Sequence, residues 1–268
     1  MNNILFLILL LFLIFLIFLI FGIFGIYGIS GIFPRINKSE FNGEHNIYSK
    51  KGSNPQTGNI NVYLVDSKWL KLMFDNSFQS LTYIGDGNSA VPSVVGLEYQ
   101  KTMIAEFEKL KIKRRVLFIG LGGSTIPSHL AWKYPDLNII SLEIDSAVIE
   151  VNKEILKIQN IIIYPETPKR GEFLVRLGNA VDLISQYSQI DVIFIDAYDN
   201  DIIPKDILNQ TFLNNCKNTL SMNGVIIANI FTRLLPEYLP LIENVNNRIK
   251  KIPVENNTIV LSSDGVLF

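Results

Sequence analysis

Residues 116–145 read VLFIGLGGSTIPSHLAWKYPDLNIISLEID. An apolar run enters a glycine turn, an amphipathic segment follows, and a second apolar run ends on acid. This pattern predicts strand, turn, helix, strand. Gly120, Gly122 and Gly123 permit a sharp turn and a close approach of backbone to a ligand. Glu143 falls 21 residues after Gly122, at the tip of the second strand. In an open α/β sheet that tip lies beside the glycine turn, on the carboxyl edge where ligands bind. A carboxylate there accepts both hydroxyl hydrogens of a ribose, so the stretch predicts a nucleoside-bearing ligand. Thr125 stands where the dinucleotide fingerprint has its third glycine. That suits a nucleoside without phosphates, such as S-adenosylmethionine, better than a pyrophosphate. A tight βα turn in any α/β protein carries similar glycines, so the rest of the chain has to decide.

Downstream, residues 172–178 (EFLVRLG) predict a third strand, with residues 160–164 competing for the role. Asn179 follows, and its amide both donates and accepts. It suits an adenine edge, a helix N-cap, or both. Residues 191–196 (DVIFID) predict a fourth strand buried on both faces. It opens into Asp196-Ala197-Tyr198-Asp199, two carboxylates at the same edge as Gly120 and Glu143. A carboxylate there can take a proton from an attacking amine or hold a cationic substrate. The plainer role for the pair is capping a helix over residues 205–220. Tyr198 suits the pocket wall. A fifth strand at 223–230, a helix at 236–250 and a last strand at 257–262 complete the pattern. The order predicts a Rossmann-like class I S-adenosylmethionine-dependent methyltransferase fold.

Upstream, residues 61–83 carry short apolar runs broken by Asp66-Ser67-Lys68 and Asp75-Asn76-Ser77. They predict a small N-terminal β hairpin or sheet. A loop over 85–93 leads to a helix over 96–110, with Tyr99 and Gln100 near its start. Tyr99 is either a core aromatic or a side chain on the lip of the cleft.

The 268 residues suffice for one α/β domain with appended pieces. A net charge of -1 gives no sign of nucleic-acid binding. Cys216 is the single cysteine, and His45 and His129 are far apart, so no metal site is expected. Residues 4–33 hold no charged side chain. As a helix they exceed the roughly 30 Å of a hydrocarbon core. A signal peptide would have a shorter apolar region behind a basic start, whereas this chain opens Met1-Asn2-Asn3. The expectation is a single transmembrane anchor over 1–33 and a polar linker over 34–60. The β region then covers 61–95 and the main domain 96–268. Arg35, Lys38, Lys50 and Lys51 follow the span and place the globular part in the cytoplasm. The N-x-S/T triplets at Asn37, Asn209 and Asn256 are glycosylatable only in the opposite orientation.

Taken together, residues 61–262 resemble the spermidine synthase family, the polyamine aminopropyltransferases, and its divergent spermidine synthase-like branch. Phe74-Asp75-Asn76-Ser77-Phe78-Gln79 is similar to the family's L-D-G-x-x-Q, which implies a nucleoside contact for Gln79. Leu97-Glu98-Tyr99 resembles the segment with the pocket tyrosine. The Gly120 loop and Glu143 match the nucleoside site, and Asn179 replaces an aspartate that meets the adenine. Asp196 and Asp199 match the D-x-x-D pair, whose first member is the family's proton acceptor. Three positions depart. Gly123 stands for an amine-binding aspartate, Gln100 for a histidine, and Asn200 for the proline after the second aspartate.

The resemblance implies aminopropyl transfer from decarboxylated S-adenosylmethionine to an amine such as putrescine, without a metal, in a homodimer. Asp196 would be the base, and Asp199, Tyr99, Gln100 and Tyr198 would line the amine site. Gln79, Gly120, Gly122, Gly123, Glu143 and Asn179 would bind the nucleoside. An S-adenosylmethionine-dependent methyltransferase is the alternative, because Gly123 would not repel the carboxylate of the intact donor. A catalytically silent nucleoside-binding scaffold is the third reading.

Overall fold

β5 (Arg115–Ile119) is buried over its last four residues and lies inside an eight-stranded mixed sheet. The computed structural model describes residues 43–158, 171–198 and 202–265, and the backbone of 161–163. These belong to one compact unit, Lys38–Phe268. The other strands are β6 (Asn138–Glu143), β7 (Ile161–Ile163), β8 (Phe173–Leu177), β9 (Ile190–Ile195), β10 (Leu220–Phe231), β11 (Arg248–Val254) and β12 (Asn257–Ser263). Their order is β11-β12-β10-β9-β5-β6-β8-β7. The six strands from β10 to β7 run parallel, and β12 and β11 add antiparallel at one edge. The sequence expectation of a Rossmann-like methyltransferase fold describes this sheet.

Register sets the site. Ile119 of β5 pairs with Leu142 of β6 and with Ile195 of β9, and Ile195 pairs with Ala228 of β10. One residue further along each strand come Gly120, Glu143, Asp196 and Asn229. Four parallel strands therefore deliver these residues to one level of the carboxyl edge. Below them the sheet is apolar on both faces, as a sheet covered by helices requires. Phe118 and Phe194 stack with centroids 4.5 Å apart and planes within 2°, and Phe107 closes on Phe194 at 5.8 Å.

The helices are α1 (Glu98–Lys109), α2 (Thr125–Lys133), α3 (Ser146–Glu154), α4 (Ala180–Leu183), α5 (Gln210–Thr219) and α6 (Leu235–Glu243). Met103, Ile104 and Phe107 of α1 are buried at helical spacing. Ahead of α1, β1 (Glu44–Lys51), β2 (Asn59–Val65), β3 (Trp69–Phe74) and β4 (Ser77–Tyr83) form an antiparallel sheet in chain order. Its inner face alternates as a half-buried sheet should: Ile60, Val62, Leu64, Leu70, Leu72, Ser80 and Thr82 are all buried.

The structure departs from the sequence expectations at several elements. Residues 44–51, read as linker, form β1. This edge strand pairs with β2 alone and leaves five of its eight residues in solvent, so its polar composition hides it. The helix expected over 236–250 ends at Glu243. Residues 248–254 form β11, whose charges and Pro253 are tolerated because β11 is an edge. The helix expected over 205–220 begins at Gln210, capped by the Asn209 side chain, which accepts the Phe212 N–H at 2.9 Å. The segments 160–164 and 172–178 do not compete. Each supplies a strand, and β7 and β8 pair in parallel. Among the described residues no helix is long and apolar enough to cross a membrane. The expected anchor over 1–33 and Asp199 lie outside the described residues.

Candidate active site

At the end of β5 the chain turns through Gly120, with φ +96°, and Gly122, with φ +51°. Gly120 has a steric reason beyond its torsion. A Cβ there would stand 2.7 Å from the Asp196 carbonyl oxygen. The missing side chain lets the end of β5 close on the end of β9, and the Asp196 N–H donates to the Ile119 carbonyl at 3.2 Å. Gly122 has open space around its missing Cβ, so only its left-handed backbone calls for glycine. At Gly123 a Cβ would lie 1.9 Å from Ser80 Oγ. There β4 of the N-terminal sheet presses on the turn.

Glu143 ends β6 and faces that turn. Its Oε2 accepts the Leu121 N–H at 3.0 Å, and its Oε1 accepts the Asp145 N–H at 2.9 Å. Burial raises its pKa to about 7, and these backbone donors oppose the rise without cancelling it. Two residues on, Asp145 is wholly buried and caps α3 by accepting the Ala147 N–H at 2.8 Å. It also accepts from Ser53 N at 3.0 Å, Ser53 Oγ at 2.5 Å and Asn54 N at 3.0 Å. Burial pushes the Asp145 carboxyl up, but the donors from Ser53, Thr57, Asn54 and Ala147 outweigh it and hold the pKa low. The β1–β2 connection is thus tied to the head of α3. Asn54, Pro55, Gln56 and Thr57 become a wall of the cleft.

Across the cleft, Asp196 follows β9. Its Oδ1 accepts from Asn229 Nδ2 at 2.9 Å and its Oδ2 from the Tyr99 hydroxyl at 3.3 Å. The carboxylate keeps an edge toward the cleft, yet burial raises its pKa against those two hydrogen bonds. Tyr99, on the first turn of α1, in turn accepts from Gln100 Nε2 at 3.3 Å. Burial and the neighbouring Asp196 charge push the Tyr99 phenol far up, so it remains a hydrogen donor. Tyr198 spends its hydroxyl on β10, donating to the Asn229 carbonyl at 2.8 Å and accepting the Phe231 N–H at 3.0 Å. Its ring is left to form wall. Asn179 caps α4, accepting the Val181 N–H at 3.0 Å, and lines the cleft as well, so its two readings coexist. Gln79 lines the same cleft, its Nε2 donating to Ser77 Oγ at 3.2 Å.

The cleft measures about 920 Å³, ample for a nucleoside and a short chain. Tyr99, Gln100, Tyr198, Gln79, the three glycines, Glu143, Asn179 and Asp196 all line it, and Asp199 lies outside the described residues. Among the described residues no cluster of His, Cys, Asp and Glu suits a metal ion. Sequence reading missed Asn229 and Asn257, which also line the cleft, and the wall from Asn54 to Thr57. A lone Asn inside a strand carries no local signal, and a wall made by a distant loop carries none at all.

The spermine/spermidine synthase domain matches residues 97–261, more than half of the chain. A polyamine aminopropyltransferase of Vibrio vulnificus is 33% identical over 122 residues, which cover 44% of this chain and 38% of that protein. The match thus spans well under half the length of that curated relative. The crystal structure of a probable spermidine synthase from Corynebacterium glutamicum superposes with a TM-score of 0.64 at 18% identity, covering 85% of this chain and 82% of that one. A spermidine synthase in complex with the transition state analogue AdoDATO gives 0.62 at 16% identity, covering 82% of this chain and 74% of that one. These structural likenesses concern the fold. The family follows from the matched domain: this chain belongs to the spermine/spermidine synthase family.

Proposed function

We propose that the protein transfers an aminopropyl group from decarboxylated S-adenosylmethionine to a small amine such as putrescine. The observation that carries the proposal is the placement of Asp196. Its carboxylate is held by Tyr99 and Asn229 at the level of Gly120 and Glu143, across the cleft from the nucleoside side. Glu143 would accept the ribose hydroxyls, Asn179 and Gln79 would contact the nucleoside, and the glycine turn would lie against it. The amine lone pair attacks the methylene beside the sulfonium. The carbon–sulfur bond breaks, its electron pair stays on sulfur, and 5′-methylthioadenosine leaves. The amine proton passes to Asp196. The sulfonium is its own leaving group, so alignment and deprotonation are the tasks left to the chain. Tyr99 and Gln100 would border the amine, the Tyr198 ring would form its wall, and Asp199 takes a second amine contact from the family pattern. The spermidine synthase bound to AdoDATO supports the choice of donor, since it shares this fold.

Residues 1–33 we assign to a single-pass membrane anchor with the globular part in the cytoplasm. The uncharged run and the lysines and arginine that follow it support this. Alkaline extraction and protease protection of membranes test it. A homodimer, taken from the family resemblance, is tested by sedimentation of the detergent-solubilised chain.

The test of activity incubates the full chain with decarboxylated S-adenosylmethionine and putrescine, and follows 5′-methylthioadenosine release. Stoichiometric release with an aminopropylated amine supports the proposal. Turnover only with intact S-adenosylmethionine, giving a methylated product, would overturn it.

A further inference from the structure

Asn229 and Asn257 stand behind Asp196 in a chain of side-chain hydrogen bonds. Asn257 Nδ2 donates to Asn229 Oδ1 at 2.7 Å, and Asn229 Nδ2 donates to Asp196 Oδ1 at 2.9 Å. Both asparagines are buried, at 3% and 9% exposure. They come from neighbouring antiparallel strands, where Phe231 pairs with Asn257. An isolated amide can present either its oxygen or its nitrogen. Here the choice is forced. Turning Asn229 over would set its oxygen against the Asp196 carboxylate and its NH2 against the NH2 of Asn257. Both contacts would be repulsive in a site with little water.

From this geometry we infer that Asn229 and Asn257 are positioning residues, with Asn257 orienting the Asn229 amide so that its NH2 keeps Asp196 aimed and ionised. The inference rests on the reading of Asp196 as the proton acceptor. A protonated Asp196 could take no proton from the amine. Its setting pulls toward the protonated form, because burial in the cleft wall disfavours the charge; Glu143, Asp206 and Glu255 are the other acids that line the cleft. The phenols of Tyr99 from α1 and Tyr198 from its own loop face it as neutral groups. No salt bridge reaches it among the described residues. The Tyr99 hydroxyl and the Asn229 amide are the two donors that favour its charge, and a third group chooses the orientation of each: Gln100 Nε2 donates to the hydroxyl oxygen, and Asn257 Nδ2 donates to the amide oxygen. Asn257 makes the second choice from the first position of β12, beside the β11–β12 turn.

The experiment compares full-chain wild type, Asn229→Ala and Asn257→Ala by the pH dependence of kcat/KM for the amine. Thermal melts establish that each variant is folded. Loss of the amide donor should move the acid limb of Asn229→Ala to higher pH by about one unit. Asn257→Ala should move it in the same direction by less. Affinity for 5′-methylthioadenosine should stay within about twofold. A uniform fall in turnover with an unmoved acid limb would mean a structural role only and overturn the inference. If Asn229→Ala fails to fold, the Asn257→Ala profile decides alone. If wild type shows no turnover at any pH, the proposed function fails instead. The relay is then read by carbon NMR titration of the Asp196 carboxyl. An upward pKa change in either variant supports it, and an unchanged one overturns it.

Discussion

Glu143 Oε2 accepts the Leu121 N–H at 3.0 Å, so the acid at the tip of β6 is bonded to the glycine turn itself. Its remaining lone pairs are what a ribose would meet, and they are best acceptors when the carboxyl is ionised. Its pKa of about 7 lies above the ordinary range because burial disfavours the charge. Between the ordinary glutamate value of about 4.3 and that raised value the native state holds the extra proton. Stability from this group is therefore complete below the unfolded pKa and is lost as pH rises through about 7. Ligand binding runs the other way. Ribose recognition should release a proton near pH 6.5, roughly where the native carboxyl is still largely protonated. Calorimetric titration with 5′-methylthioadenosine in two buffers of different ionisation enthalpy should show the release, and Glu143→Gln should abolish it. The variant should also bind at least tenfold more weakly, by the order of magnitude of a lost charge-assisted hydrogen bond.

Asp145 extends this arrangement to the N-terminal sheet. Removing its carboxylate leaves the buried Ala147 N–H and the part-buried Ser53 and Asn54 N–H donors without their acceptor. Asp145→Ala should cost about 3 kcal/mol, from hydrogen bonds to a charged group and the orphaned donors they leave. It should also weaken nucleoside binding, because the wall from Asn54 to Thr57 loses its anchor. Because the Asp145 pKa is lowered, its contribution is present above the ordinary aspartate range and fades as pH falls through the native value. Melts of wild type and variant should therefore converge in acid. Parallel curves down to pH 3, on the order of a unit below the usual aspartate pKa, would refute the clamp.

The sequence is most legible where one strand end must carry its chemistry in consecutive residues. The Gly120 turn, Glu143 and Asp196 each follow an apolar run, and parallel register then levels them. Asn229 follows such a run too, but an amide there looks like any polar residue, and its partner Asn257 arrives through antiparallel pairing of distant segments. Edge strands hide for a different reason. β1 and β11 have one open side, so His45, Lys50 or Lys251 break the apolar pattern that betrays inner strands. The Asp145 clamp joins residues about ninety positions apart, and no local reading finds it.

Gly120 separates two demands that a larger residue cannot meet. Its φ of +96° is costly for any L side chain, and the added Cβ would stand 2.7 Å from the Asp196 carbonyl oxygen. Gly120→Ala should lower stability by about 1–3 kcal/mol. It should also push the backbone that carries Asp196. Turnover should then fall by about a hundredfold, the order expected for a catalytic group displaced by roughly 1 Å. Full activity in a folded Gly120→Ala protein would show that the β5 and β9 ends need not meet closely.

The family's amine-binding aspartate cannot simply be restored at Gly123. Its Cβ would lie 1.9 Å from Ser80 Oγ and 2.7 Å from Ser80 Cβ, on the buried face of β4. Gly123→Asp alone should therefore destabilise by about 2–3 kcal/mol, from overpacking and from a carboxylate placed against the N-terminal sheet. Ser80→Gly empties that space. The double variant should recover about 1 kcal/mol or more relative to the sum of the single changes, a coupling expected only of residues in contact. It should also discriminate more strongly between donors, since the new carboxylate attracts the ammonium of decarboxylated S-adenosylmethionine and repels the carboxylate of the intact molecule. Thermal melts and paired calorimetric titrations measure the two effects separately. Strict additivity in stability would mean that Ser80 does not set the size of the glycine position. Unchanged donor preference in a folded double variant would mean that this corner of the cleft lies away from the end of the donor that tells the two apart.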